Sequence, residues 1–308
     1  MGTVAAMAPI AIGVAEAANL NLPLTCAAVI GGAYFGDNLS MISDTTISAA
    51  KGVGSEMKDK FRMNFLIALP AAIVAIIMYW ALGGTGVITG EHNFEIIRVI
   101  PYIIVLGAAL AGFNVCGVLF TGIVMSGLIG IFEGTITILE WVQAIGSGMS
   151  DMFSITIVAI LISGLIGLIK YYGGVDWLVN SIVSRIKERK DAEYGIGLLS
   201  GLLSAALVNN TIAIIISAPI AKEIGKTYHI APKRLASLID IFACAFLALT
   251  PYDGGMLIVT GLVDVSPLAV LKYSFYIFAL IIATCITIQF GLLRTEEEKR
   301  YLKENNLK

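Results

Sequence analysis

Residues 31–62 read GGAYFGDNLSMISDTTISAAKGVGSEMKDKFR. They lie between two apolar runs, yet two carboxylates and several small oxygen-bearing side chains fall within them. An ionised carboxylate in hydrocarbon costs at least about 2.5–3.5 kcal/mol, so such residues persist where they face a water-filled cavity or bind something. The polar residues are Asp37, Asn38, Ser40, Ser43, Asp44, Thr45 and Thr46. Their clustering predicts a polar site inside an apolar protein.

The rest of the chain has the composition of a membrane protein. Of its 308 residues, 57% are hydrophobic and 14% are charged, whereas a soluble domain carries about 25% charged residues. Runs long enough to cross a bilayer, roughly 17–25 residues each, recur along the chain. The clearest are 63–82, 96–113, 115–132, 153–170 and 268–292. We therefore expect an all-α polytopic membrane protein, with the lipid bilayer as a partner and no nucleic acid.

An internal repeat links the two ends of the chain. Residues 8–11 (APIA) recur 210 positions later (218 − 8) as residues 218–221. At an offset of 209 (253 − 44), Asp44 falls on Asp253, in the segment TPYDGG. The order and near-constant offset predict that 1–95 is the C-terminal part of a first copy. Residues 96–293 then form the second copy, and 294–308 a charged cytoplasmic tail.

Loop charges predict how these copies cross the membrane. Loops rich in Lys and Arg stay in the cytoplasm, which places 51–62, 171–193 and 222–234 inside and the cation-free loop 83–95 outside. Residues 194–222 return to the same side as a hairpin broken at 208–210. The two copies then run in opposite directions. Inverted repeats with interrupted or re-entrant helices are typical of secondary transporters, whose sites lie near the midplane.

Both copies supply candidate ligands for a cation. In the first copy, Asp37 and Asp44 are seven residues apart, on one face of a helix and about 10 Å apart along it. Oxygen-rich sites without sulfur suit hard cations, and Na⁺ is the hard monovalent ion in question. Protons would compete with Na⁺ at such carboxylates. The second copy supplies Asn209, Asn210, Thr211, Thr250 and Asp253.

Plainer interpretations of these residues stay open. The segment 36–62 could be a cytoplasmic loop with solvated acids, and Asn209-Asn210 could simply break a helix. Asp240 could be a ligand or a helix-terminal acid beside Lys233 and Arg234. Residues 134–152 could be an interfacial helix or another broken segment. The four cysteines are scattered singly in apolar segments, which is typical of small core side chains rather than of a disulfide framework or a metal site.

The opening stretch carries a family signature. Residues 36–45 (GDNLSMISDT) resemble the G-D-x-x-S-P-x-S-D-T signature of NhaC-type Na⁺/H⁺ antiporters, with Met41 where many members have proline. The resemblance continues more weakly to about residue 293. It implies a multi-pass exchanger of the inner membrane that transports Na⁺ and H⁺, is not an enzyme and uses no cofactor. It also implies that an N-terminal part is missing here. A homodimer is compatible with it, and Asp44 and Asp37 are the expected Na⁺ ligands.

Three other functions remain to be distinguished. The family includes carriers of organic acids and amino acids, so a Na⁺- or H⁺-coupled transporter of such solutes is the main rival. A non-transporting fragment or subunit is a second alternative. An intramembrane aspartyl protease also uses two membrane aspartates, but the G-x-G-D motif of those enzymes is absent before Asp37.

Overall fold

The computed structural model describes residues 2–40, 43–84, 86, 96–110, 115–295, 298 and 300. These residues form helices and turns without a β-strand, which confirms the all-α prediction. The first seven helices are α1 (Gly2–Ala17), α2 (Leu22–Asn38), α3 (Asp44–Val53), α4 (Met57–Leu82), α5 (Ile96–Leu110), α6 (Val115–Phe132) and α7 (Ile138–Tyr171). The others are α8 (Gly174–Val183), α9 (Arg189–Leu207), α10 (Asn210–Thr227), α11 (Pro232–Ala248), α12 (Gly254–Leu262), α13 (Pro267–Leu271) and α14 (Phe275–Gln289).

Helix starts recur along the chain at a constant spacing. Helices α2 and α11 begin 210 residues apart (232 − 22), and α3 and α12 also begin 210 residues apart (254 − 44). The turn before each pair matches too, because Asn19 and His229 both hold a left-handed backbone with φ of 51°. The predicted repeat therefore has a counterpart in the secondary structure. Its register corrects the expected offset of 209.

The corrected register changes which residues correspond. Ser43 caps the N-terminus of α3, and Asp253 caps the N-terminus of α12. The counterpart of Asp253 is therefore Ser43, not Asp44. A one-residue gap is easily misplaced in sequence because both caps are followed by small residues.

Contacts between the two sets of helices are reciprocal. Helix α1 packs against α12, and its counterpart α10 packs against α3. Likewise α2 contacts α14, and α11 contacts α4. Each copy thus buries its helices against the other copy rather than forming a separate core.

Helix α11 lies at the centre of this packing and is buried along most of its length. Glycines let α9 approach it closely, as small residues do between membrane helices. A Cβ on Gly197 would lie 2.6 Å from the ring of Phe242, and one on Gly201 would lie 2.8 Å from the ring of Phe246. Larger residues at these two glycines would push α9 away.

The predicted spans are confirmed in part. Among the described residues, α4 is the one helix long and apolar enough to cross a bilayer by itself, and α1, α14 and residues 116–132 of α6 are shorter apolar helices. The span predicted at 268–292 is wrong as a continuous helix, because the chain breaks between α13 and α14. Residues 134–152 mostly belong to the continuous helix α7. The break predicted at 208–210 is confirmed between α9 and α10.

Several boundaries stay predictions. The division at residue 95 and most of loop 83–95 lie outside the described residues, as does most of the tail 294–308. The division into 1–95, 96–293 and 294–308 is therefore not tested by the fold.

Candidate functional site

The polar stretch that opens the sequence is divided by a helix break. Helix α2 ends at Asn38, and α3 starts at Asp44. The hydroxyl of Ser43 accepts a hydrogen bond from the N–H of Thr46 at 3.3 Å, which satisfies one of the free N–H groups at the start of α3. The hydroxyl of Thr46 donates across the break to the carbonyl of Ser40 at 2.7 Å. Met41, where the signature has proline, lies outside the described residues.

Asp37 collects contacts from three other helices. It is half-buried near the end of α2, and its Oδ1 accepts from the hydroxyl of Thr45 at 3.3 Å. Its Oδ2 lies 3.4 Å from the amide Nδ2 of Asn210 and 3.3 Å from the thiol of Cys244. Thr45 and Asn210 stand in the first turns of α3 and α10. Helix N-termini carry partial positive charge, so two of them favour a carboxylate here.

A second carboxylate, Asp240, lies deeper. Its Oδ2 is 2.6 Å from the ammonium of Lys60, and both side chains are completely buried. The amide Nδ2 of Asn64 donates to the same oxygen at 2.8 Å. Lys60 also donates to the hydroxyl of Thr46 at 2.7 Å and to the carbonyl of Asn38 at 3.4 Å. The buried ammonium thus has three oxygen partners from three helices.

The two carboxylates belong to one buried polar network. Asp240 and Cys244 are one turn apart on α11, and Cys244 contacts Asp37. Asp37 and Asp240 also interact electrostatically. The network as we define it comprises Asp37, Asn38, Thr45, Thr46, Lys60, Asn64, Asn210, Asp240 and Cys244. With two carboxylates and one ammonium it carries a formal charge of −1, so one further positive charge would neutralise it.

The structure brings some of the predicted ligands together. Asp37, Thr45 and Asn210 are in direct contact, and Asn38 and Thr46 join them through Lys60. Ser43 bonds to Thr45 and Thr46, each at 3.0 Å. Ser40 contributes its carbonyl to Thr46, and Thr211 follows Asn210 in α10.

The remaining predicted ligands lie at helix ends. Asn209 and Asp253 cap α10 and α12 through their side-chain oxygens. The hydroxyl of Thr250 donates to the carbonyl of Leu247 at 2.6 Å, within its own turn. Asp44 is exposed in the first turn of α3. Its role as a Na⁺ ligand stays a prediction.

Sequence reasoning missed Lys60 and Asn64 and misread two other residues. Lys60 was counted as a loop charge, but it lies in α4 four residues before Asn64, on the same face of that helix. The helix-terminal interpretation of Asp240 is wrong, because the residue lies within α11. Cys244 is buried, as expected of a core side chain, but its thiol contacts Asp37. The signal available for Asn64 was a single amide within an otherwise apolar run.

Other cations counted in the loops are also buried. Arg234 pairs with Glu193 at 2.9 Å, with both side chains at most 5% exposed. Arg189 pairs with Glu298, and both are largely buried. The exposed cations Lys51, Lys58 and Arg62 still mark the region around the α3–α4 turn.

Comparisons with known proteins give one family. A model of the Na⁺/H⁺ antiporter family matches residues 1–84 and 92–294. The chain is 20% identical to a Na⁺/H⁺ antiporter NhaC of Alkalihalophilus pseudofirmus, over 92% of the chain and 67% of that protein. It is 24% identical to a malate-2H⁺/Na⁺-lactate antiporter of Bacillus subtilis, over 100% of the chain and 72% of that protein.

A third relative is the arginine/ornithine antiporter ArcD of Halobacterium salinarum, 21% identical over 86% of the chain and 62% of that protein. The chain thus spans about two thirds of the length of these relatives. No solved structure matches the chain.

Proposed function

Because the chain belongs to the Na⁺/H⁺ antiporter family, we propose that it exchanges Na⁺ for H⁺ across the cytoplasmic membrane. The observation that carries this proposal is the buried polar network with its formal charge of −1. Such a network is stable when one monovalent cation neutralises it, and either Na⁺ or a proton on a carboxylate can do so. Exchange follows if the two cannot be bound at once.

We assign the exchanging carboxylate to Asp37. It is half-buried, so an ion can reach it, whereas Asp240 is committed to Lys60. Thr45 and Asn210 offer neutral oxygens beside it, and hard oxygen ligands suit Na⁺. A proton arriving on Asp37 would remove the charge that holds Na⁺. Asp44, exposed one turn into the cavity side of α3 in this proposal, would serve as a further carboxylate on the ion's route.

The membrane arrangement that we propose is a multi-pass bundle with two inverted copies. The reciprocal packing of α1 on α12 and of α10 on α3 fits a two-fold relation between the copies. An axis in the membrane plane would invert one copy, and the exposed cations of 51–62, 171–193 and 222–234 would then all be cytoplasmic. The C-terminus would be cytoplasmic as well. A homodimer stays a prediction.

Exchange of an organic acid or amino acid is the second candidate. It is favoured by the relatives named for malate and lactate and for arginine and ornithine. These solutes carry carboxylates, so they would need a cationic partner in the protein. In the buried polar network the cation is Lys60, which is already paired with Asp240. This pairing favours a cation over an organic anion as the ligand.

Transport in proteoliposomes distinguishes these functions. Purified protein is reconstituted with a pH gradient reported by an entrapped pH-sensitive dye, and NaCl is compared with KCl, malate, lactate, arginine and ornithine. We expect NaCl alone to dissipate the gradient. Asp37→Asn should be inactive, whereas Asp264→Asn, which neutralises an exposed acid outside the network, should remain active. A wild type that answers to an organic solute but not to Na⁺ would favour the second candidate.

A further inference from the structure

Three buried oxygen atoms in the network have no hydrogen-bond partner among the described residues. They are Oδ1 of Asn38, Oδ1 of Asn64 and Oδ1 of Asp240. All three side chains are 0% exposed. A buried acceptor left unsatisfied is costly, and such atoms are few in native proteins. Three of them in one cluster therefore point to a ligand.

These oxygens belong to residues that already touch one another. The amide Nδ2 of Asn64 donates to Oδ2 of Asp240 at 2.8 Å and to the carbonyl of Asn38 at 3.0 Å. The three residues come from α4, α11 and α2, so the cluster is formed only when these helices pack. Asp240 stands four residues, or one turn, before Cys244, whose thiol contacts Asp37. The cluster thus adjoins the Asp37 position.

The orientation of both amides is fixed by their other contacts. Reversing Asn64 would set its oxygen against the carboxylate of Asp240. The Nδ2 of Asn38 donates to the carbonyl of Tyr34 at 3.0 Å and lies 3.3 Å from the hydroxyl of Tyr276. The unpartnered atoms are therefore oxygens, and all three are acceptors. A set of acceptors without a donor selects a cation.

We propose that Asn38, Asn64 and Asp240 form a second, deep position for a monovalent cation, beyond the Asp37 position. This inference rests on the proposed function and deepens it. Lys60 holds one oxygen of Asp240 and leaves the other for the ion, so the Asp240–Lys60 pair is neutral before the ion arrives. One Na⁺ then makes the whole network neutral, whereas a divalent ion would leave an excess positive charge. Ions reach the half-buried Asp37 first and then pass to the deep position.

The test is equilibrium binding of ²²Na⁺ to purified protein in detergent, with Na⁺-dependent exchange measured on the same preparations. Asn64→Ala and Asn38→Ala should each weaken Na⁺ binding and raise the KM for Na⁺ by about tenfold, the loss expected for one polar ligand. Ser204→Ala is the matched control, because Ser204 Oγ is also buried and unpartnered in the described part but lies outside the network. It should bind Na⁺ as the wild type does.

Each outcome decides between the two levels of the proposal. If the wild type exchanges Na⁺ and both Asn variants bind it with unchanged affinity, the deep position is wrong and the oxygens hold water only, while the proposed function stands. If the wild type neither binds nor exchanges Na⁺, the proposed function itself fails. Should an Ala variant not fold, Asn64→Ser and Asn38→Ser, which remove the amide oxygen but keep polarity, give the same reading.

Discussion

At the scale of single residues, the central distinction is between Asp37 and Asp44. The signature gives both equal weight, but Asp37 contacts side chains from α3, α10 and α11, whereas Asp44 is exposed. We expect Asp37→Asn to lower Na⁺-dependent exchange by about 10- to 100-fold, because hydrogen bonds to a charged group are the stronger ones. Asp44→Asn should retain most of the activity. Initial exchange rates in proteoliposomes test this, and the reverse ranking would move the exchange site to Asp44.

The buried pair of Lys60 and Asp240 gives a second prediction at this scale. Lys60→Met leaves an unpaired buried carboxylate, which should cost about 3–5 kcal/mol of stability. Adding Asp240→Asn removes that charge and should restore part of the loss. Thermal unfolding of the purified single and double variants measures the recovery. A double variant that melts below Lys60→Met would show that the pair is not the reason for the loss.

Sequence reasoning found the carboxylate and the amides but not their counter-charge. Asp37, Asn38 and Asn210 stand out because polar residues are rare in apolar segments. Lys60 does not stand out, because it falls near the start of a helix among other cations, where a solvated charge is the usual case. Its partner Asp240 is 180 residues away (240 − 60). Only the packing of α4 against α11 reveals the pair.

At the scale of elements, breaks with local signals were predictable and one without them was not. The breaks after α2, α9 and α11 follow from clustered polar residues, Asn-Asn and Pro-Gly-Gly chemistry. The break between α13 and α14 lies in a run that reads as continuous. There the hydroxyl of Tyr79 in α4 donates to the free carbonyl of Tyr273 at 3.0 Å. The partner that makes this break tolerable comes from a distant helix.

The start of the tail provides an element-scale prediction on pH. Burial raises the pKa of Glu298, but N–H groups of Ala231 and Thr295 and the guanidinium of Arg189 outweigh it and hold the pKa below its usual value of 4.5. A carboxyl with a lowered folded-state pKa stabilises the protein above the unfolded value, and this contribution is lost as the pH falls through the folded-state pKa.

Glu298→Gln should therefore be less stable than the wild type at neutral pH, by about 1.5–3 kcal/mol. The difference should shrink as the pH falls below 4.5. Melting temperatures of both proteins across this range measure it. A gap that is the same at neutral and acidic pH would mean that the charge of Glu298 contributes nothing.

At the scale of the whole molecule, the two copies depend on each other. Asp37 comes from the first copy, and Asn210, Asp240 and Cys244 come from the second, so neither copy contains the network alone. The repeat itself could be predicted from sequence, because short motifs and helix caps recur at a near-constant spacing. Which copy contacts which could not, because reciprocal packing leaves no local trace in the chain.

The most direct measurement of the central claim is the KM for Na⁺ as a function of pH in proteoliposomes. If Na⁺ and H⁺ compete for one carboxylate, each unit decrease in pH on the acidic side raises the KM about tenfold and leaves the rate at saturating Na⁺ unchanged. Asp264→Asn should behave as the wild type does. A KM that stays constant while the maximal rate falls with pH would contradict the account, because protons would then act at a site that Na⁺ does not occupy.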